Sequence, residues 1–384
     1  MVAVINNPTI STLSYEAYLA QALEKANSSA HRVLLRLYKP IKNQEVWPSS
    51  FTSVTPGELR IAWADGRREE EFWAIGKVTE IRCGHIIRFA QAQTGCSDFC
   101  EQSVEVSMEP GFVPNWESLP VGIGGFAFTP AQRLPEEIWD GWEDGVLWVP
   151  RILFHASAGQ SGACLTLAVE PGAEFKDLRD QLVENLAELE AELSKLALRE
   201  IPTSSEGPLF SQAPTPTASP EEISINKRAW HRRVETARTA IRNGELDKVV
   251  LARCVEWEAP SYSEFDAFRT AHRLRQEYPT CKVFMIQRED GSAFVGATPE
   301  ILVSLEGEHV EAVSLAGTAR RGTTADEDQA LGDALVASSK DQHEHHLVTE
   351  AIRKSFTPIV EDLEIDDGPH LLKLQNVQHL ETPI

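Results

Sequence analysis

Positive charge is scarce in this chain. Lys and Arg number 36 against 58 Asp and Glu, for a formal net charge of −22. That balance disfavours nucleic acid and anionic membrane as partners. An anionic metabolite stays allowed, because a metal or a local cationic pocket outweighs a diffuse negative field. Solubility explains most of the acidity. Cysteine is thinly spread as well, at Cys83, Cys96, Cys100, Cys164, Cys254 and Cys281, with only Cys96 and Cys100 close together. No CxxC pair occurs, so a zinc site has little support and reduced thiols in a cytosolic protein are the expectation. No apolar run approaches the length of a membrane span. Met1 to Tyr15 shows no basic start followed by an apolar stretch, so no signal peptide is read there and a cytoplasmic location is expected. No repeat stands out at the periods of solenoid proteins.

What is present is enough for a substantial core. Hydrophobic residues make up 42% of 384 residues, a length that suggests two or three domains rather than one. Residues 30–170 read mostly as strand: Val33 to Tyr38, Phe72 to Gly76, Ile86 to Phe89 and Cys164 to Val169 are β-rich pieces punctuated by Gly and Pro. Gly122-Ile123-Gly124-Gly125 superficially suggests a phosphate loop, but no helix pattern follows it. A glycine-rich strand with close backbone packing is the better reading. After Pro171-Gly172, Leu178, Leu182, Leu186, Leu189, Leu193 and Leu196 recur at helical spacing, which predicts a long amphipathic helix. Pro, Ser and Thr then dominate 201–220, which reads as a linker or long loop. The chain is thus divided into an N-terminal β-rich region (1–200), the linker (201–220) and a second region (221–384). That region opens with a helix bearing Trp230, Val234, Ala237 and Ile241 on one face and closing at Gly244, a predicted C-cap.

Four segments of the second region concentrate chemistry. Lys248 opens Val249-Val250-Leu251-Ala252, an apolar run read as a buried strand; on its own such a lysine is usually a snorkelling surface residue. Glu300 ends Gly296-Ala297-Thr298-Pro299-Glu300 before a predicted strand over 301–305, and its bland reading is an exposed turn glutamate. Gly317-Thr318 is read as a turn that lets a backbone N–H approach an anion, followed by Arg320-Arg321, a basic turn of the usual exposed kind. The fourth segment is the densest: Ser338-Ser339-Lys340-Asp341-Gln342-His343-Glu344-His345-His346, inside one predicted helix whose apolar positions run from Leu331 to Ile352. Lys340 and Glu344 stand four apart, so an ordinary ion pair is the plain explanation. His343, His346 and Glu350 could face zinc from one helix side, but the run is not HExxH, and zinc ranks well below a hard cation.

In this order, the four segments resemble the chorismate-utilising enzymes from about Trp230 to Ile384. Lys248, Ala316-Gly317-Thr318-Ala319-Arg320-Arg321 and Lys340-Asp341-x-x-Glu344-His345 look like the isochorismate synthase branch. The resemblance implies an α+β fold of two related antiparallel-sheet-plus-helix halves around a central pocket. It implies that Lys248 activates water and Glu300 protonates a departing hydroxyl, roles that call for a lowered lysine pKa and a partly buried carboxyl. It implies further that Glu344 holds Mg²⁺, and that Gly317, Thr318 and His379 contact chorismate. The product would be isochorismate, feeding menaquinone, phylloquinone, or salicylate- or catecholate-type siderophores. Amine-adding relatives, anthranilate and aminodeoxychorismate synthases, are disfavoured by Lys248 and Ala316; salicylate synthase keeps the lysine and stays open. Family members continue past a similar His-Leu-x-Thr into a stretch with a second metal carboxylate and a substrate-binding Arg. Neither has a match before Ile384, so the chain reads as truncated. It is expected to be impaired or inactive as given, a non-catalytic chorismate-binding module being the alternative, and to self-associate through open sheet edges. His379, five residues from the end, is expected to fray.

Overall fold

A computed structural model describes residues 15–41, 57–116, 119–129, 142, 144–157, 160–197, 215–217, 220–259 and 265–384. Most of the predicted linker, including 201–214, lies outside these residues. The chain forms two compact units: Met1–Ser205 with Val283–Gly296, and Glu206–Lys282 with Ala297–Ile384. The mixture of helix and largely antiparallel sheet is the α+β class expected.

The first unit is built on a nine-stranded sheet. Its strands are β1 (Val33–Pro40), β2 (Arg60–Asp65), β3 (Glu70–Cys83), β4 (Ser103–Ser107), β5 (Ile123–Phe126), β6 (Gly145–Ser157) and β7 (Gln160–Val169). Two later strands, β10 (Lys282–Gln287) and β11 (Ala293–Thr298), complete it. The order is β11-β10-β2-β3-β6-β7-β1-β4, with β5 beside β6, and β1 pairs with β4 in parallel. The hairpin β10–β11 therefore returns the chain to the first unit's sheet in the middle of the stretch that the sequence suggested was continuous over 221–384. Its turn is set by Asp290, whose carboxylate accepts the Ser292 N–H, and by Gly291 at φ 85°.

β1 is buried along its first six residues, the pattern of a central strand covered on both faces. Three helices lie against this sheet. On α1 (Glu16–Ser29), Leu19, Ala22 and Ala26 recur on one face and are buried. On α3 (Phe175–Ala197), Leu178, Leu182, Leu186 and Leu189 do the same, as the leucine spacing predicts. The third, α2 (Arg88–Glu101), replaces the strand expected at Ile86 to Phe89: a 3-10 turn at His85–Ile87 runs straight into it. Four apolar residues are too few for periodicity to separate a strand from a helix start. The Gly122–Gly125 reading holds: a Cβ on Gly124 would lie 1.9 Å from the Val146 carbonyl oxygen, so only glycine lets β5 approach β6 here.

Polar side chains also sit deep in this core. Arg36 is buried, pairs with Glu105 at 2.8 Å and lies over the Trp116 ring. Tyr38 Oη lies 2.9 Å from His155 Nε2, with both side chains buried. Burial pushes the His155 pKa down to about 4 and the Tyr38 pKa up to about 12. All six cysteines are free thiols.

The second unit carries less sheet. α4 (Pro220–Arg242) closes at Gly244, φ 74°, where the Glu245 N–H reaches the Ala240 carbonyl, as the predicted C-cap requires. A two-residue pair joins β8 (Thr215–Pro216) to β9 (Trp257–Glu258), and α5 (Ala267–Glu277) starts at Asp266, which accepts the Arg269 N–H. A small hairpin links β12 (Ser304–Glu306) to β13 (His309–Glu311). A three-stranded antiparallel sheet follows, β14 (Val313–Arg320), β16 (Val377–Pro383) and β15 (His370–Lys373), in the order β14-β16-β15. Helices α6 (Ala325–Ala337) and α7 (Ser339–Phe356) pack on it.

Three local expectations change here. The predicted strand after Lys248 is irregular backbone from Lys248 to Glu256, with Val250 79% exposed. A strand needs neighbours for its N–H and C=O groups, and no ladder among the described residues reaches this segment. The strand expected over 301–305 shrinks to Ser304–Glu306. The single helix expected through Ser338 is two, because Ser338 leaves the helical region at ψ 108° and its hydroxyl caps α7 by accepting the Asp341 N–H.

The buried His155 gives a pH test. Its folded pKa lies below the ordinary histidine value, so its neutral form stabilises the fold fully above pH 6.5, and that stability is lost as pH falls from 6.5 towards 4. Replacing it with Leu is expected to flatten the fall in melting temperature between pH 7 and 5 relative to wild type. Parallel melting curves across that range would contradict the assignment.

Candidate active site

The predicted site residues all fall in the second unit, and the structure gathers them into two clusters. The first is ionic. Lys248 Nζ lies 3.4 Å from Glu344 Oε1, across 96 residues of sequence (344 − 248). Lys340 Nζ stands 3.8 Å from Glu344 Oε2, the i,i+4 pair that the helix spacing predicts. Lys248 sits just beyond the α4 C-cap, and Glu344 is half-buried in the second turn of α7. One carboxylate thus faces two ammonium groups.

The second cluster is centred on Gly317. It lies within a strand rather than in the expected turn: the β14–β16 register shifts between Ala316 and Thr318, which makes a β-bulge. Gly317 takes φ 82°, and a Cβ there would stand 3.3 Å from both Asp341 Cβ and Leu380 Cδ1. The backbone angle favours glycine, and a Cβ there would also crowd Asp341 and Leu380. Past the bulge, Thr318 faces His379, and Thr318 Oγ1 lies 2.9 Å from His379 Nδ1. His379 does not fray, because β16 is held between β14 and β15. Burial lowers the His379 pKa, opposed by a backbone hydrogen bond with Gly317 and by the charges of Glu300 and Glu381. The fourth predicted residue, Glu300, therefore acts electrostatically on this cluster; its side chain is exposed, and its own N–H is held by Thr298 Oγ1 at 3.2 Å.

The two arginines after the bulge are committed elsewhere. Arg321 forks onto the Asp328 carboxylate at 2.6 and 2.9 Å, where Lys373 Nζ and the Gly322 N–H also bind. These partners hold the Asp328 pKa far below the usual carboxylate range. Arg320 pairs with Glu327, whose carboxylate accepts the Thr323 N–H and whose own N–H is capped by Thr324 Oγ1 at the start of α6. Both arginines thus tie the end of β14 to the start of α6.

Sequence reasoning singled out Glu344 and passed over its neighbour. His345 is 3% exposed, with Nδ1 3.3 Å from the Ala316 carbonyl and Nε2 2.7 Å from Thr382 Oγ1. Its pKa is lowered, by burial first. The available signal was spacing: Asp341, His345 and Thr349 form a polar i,i+4,i+8 stripe on an otherwise amphipathic helix. No group of three His, Cys, Asp or Glu able to hold a metal occurs among the described residues, and Glu350, part of the zinc alternative, pairs with Arg353. Glu344 still fits Mg²⁺ as a single hard anchor, since that ion commonly takes one or two protein carboxylates and keeps its waters.

A family model described as chorismate binding enzyme matches residues 21–384. The chain belongs to this family. Among its relatives, the salicylate biosynthesis isochorismate synthase of Pseudomonas aeruginosa is 32% identical over 317 residues, covering 82% of this chain and 60% of that protein. Isochorismate synthase MenF of Bacillus subtilis is 28% identical over 378 residues, covering 97% of this chain and 75% of that one. The solved structure of MenF, the menaquinone-specific isochorismate synthase from Escherichia coli, matches with a TM-score of 0.63 at 23% identity over 97% of this chain and 75% of that chain. At that identity the match establishes the chorismate-enzyme fold. No described helix is long and apolar enough to cross a membrane.

The bulge yields a direct test. Gly317→Ala must place a Cβ at φ 82° against Asp341 and Leu380, and is expected to destabilise the chain by about 1–3 kcal/mol. An unchanged urea midpoint would show that the bulge relaxes freely.

Proposed function

We propose that this chain carries the chorismate site of an isochorismate synthase. The observation that supports this most is the approach of Lys248 to Glu344, which joins two of the motifs that match the isochorismate synthase branch into one cluster. Membership of the chorismate-binding family supplies the substrate class.

In this reading, Lys248 would leave its ion pair once Glu344 holds a cation, and its neutral amine then takes a proton from water as that water attacks ring carbon 2. Glu300 gives a proton to the hydroxyl leaving carbon 4, so one water enters, one leaves, and chorismate becomes isochorismate without a redox step. Glu344 would hold Mg²⁺, which would supply charge neutralisation for a substrate carboxylate. Gly317 offers close backbone approach, and the Thr318–His379 pair lines the substrate ring. Glu300 is exposed in this structure, so the desolvation that its acid role requires would come from the bound substrate.

The assay uses chorismate, Mg²⁺ and chromatography of the product. The protein is expected to release isochorismate and to stop in EDTA. Lys248→Ala is expected to lower its rate by roughly 10²–10⁴ while chorismate binding stays within about tenfold. Anthranilate formed with ammonia, or full activity in EDTA, would overturn the reading.

A second inference rests on the segment after Lys248. Val250, Val255 and Trp257 are 79%, 51% and 58% exposed, three apolar side chains within eight residues. We infer that the chain self-associates through this segment. Sedimentation at tens of micromolar is expected to show dimers or larger species, reduced by Val250→Lys; a monomer throughout would contradict this.

A further inference from the structure

Helices usually dock on sheets through apolar side chains. The N-terminal half of α7 does otherwise. The stripe Asp341, His345, Thr349, Ile352, Phe356 turns from polar to apolar along the helix. Opposite its polar half lie Ser314 at 0% and Thr382 at 2% exposure, also polar. Thr349 Oγ1 lies 2.9 Å from Ser314 Oγ, and His345 spans the Ala316 carbonyl on β14 and Thr382 Oγ1 on β16. Each buried polar group in this seam has a partner, as burial demands.

Chemistry fixes the ring's protons. A carbonyl only accepts, so the neutral ring carries its hydrogen on Nδ1 and donates to Ala316; Nε2 then accepts from the Thr382 hydroxyl. Directional bonds of this kind hold one register, whereas an apolar seam tolerates sliding. The bulge is thereby gripped from two sides, with His345 on Ala316 and His379 on Gly317 and Thr318. Glu344 is the residue next to His345.

We propose that His345 is a positioning residue: by bonding α7 to the Ala316–Gly317 bulge and to Thr382, it sets the place of the Glu344 carboxylate relative to Gly317 and Thr318. This rests on the chorismate reading for its consequence, the alignment of a cation on Glu344 with a substrate at the bulge. It does not rest on that reading for the geometry itself.

The test has two independent arms on the whole chain. In the first, long-range ¹H–¹⁵N spectra of wild type are expected to show the Nδ1–H tautomer for His345, and His345→Leu is expected to speed amide exchange at Ala316–Thr318 at least tenfold relative to the β1 core. An Nε2–H tautomer, or unchanged exchange at the bulge, would overturn the proposal. In the second, Mg²⁺ and chorismate are titrated calorimetrically. His345→Leu is expected to weaken both at least tenfold, and His345→Gln, whose amide can both donate and accept, to return them to within about threefold of wild type. Equal weakening in the Gln and Leu variants, or none in either, would also overturn it. Should His345→Leu fail to fold, Thr382→Val removes only the donor to Nε2 and is expected to weaken binding about threefold with a native spectrum; unchanged binding there contradicts the proposal. If wild type binds neither ligand, the chorismate reading fails and the first arm alone decides the positioning role.

Discussion

The pairing of β14 with β16 around Gly317 is the constraint on which the second unit depends. One extra residue in β14 puts Ala316 and Thr318 on either side of a positive-φ glycine. The Ala316 carbonyl is thereby left to His345, and Thr318 stands beside His379. The same strand then ends in Arg320 and Arg321, which fasten α6 through Glu327 and Asp328. α7 follows from the Ser338 cap and brings Glu344 to Lys248. Removing the bulge would undo each of these relations in turn, since a shift of one residue sends alternate side chains to the opposite face.

The two units reach stability differently. The first closes a large core around β1, β6 and β7 and buries Arg36 against Glu105 and Tyr38 against His155. The second places its most buried polar groups in the helix–sheet seam and leaves apolar residues such as Val250 and Leu302 exposed. A polar seam contributes little net stability per bond and much specificity of register. That suits the site proposed here, which needs segments far apart in sequence at fixed separations.

Long periodic elements were legible in the sequence, and short or context-dependent ones were not. The leucines of α3 and the apolar runs of β1 and β7 announce themselves because burial repeats over many residues. Ile86 to Phe89 misled because four apolar residues fit either period, and Ser338 hid a helix break because its hydroxyl competes for backbone N–H groups. The run after Lys248 reads as a strand by composition, but strand formation needs a neighbouring ladder, which no local pattern encodes. At the site, motif resemblance picked out Lys248, Glu300, Gly317, Thr318, Glu344 and His379. It could not show that Gly317 is a bulge, that Arg321 serves Asp328, or that His345 faces inward, because each is decided by a partner more than five residues away.

The most direct measurement is a chorismate titration of isotopically labelled protein with Mg²⁺ present, followed residue by residue in ¹H–¹⁵N spectra. The account requires the largest shifts at Gly317, Thr318, Glu344 and His379, with the β1–β7 sheet of the first unit unmoved. Shifts concentrated in that sheet, or none at the bulge at saturating chorismate, would place the ligand elsewhere and contradict it.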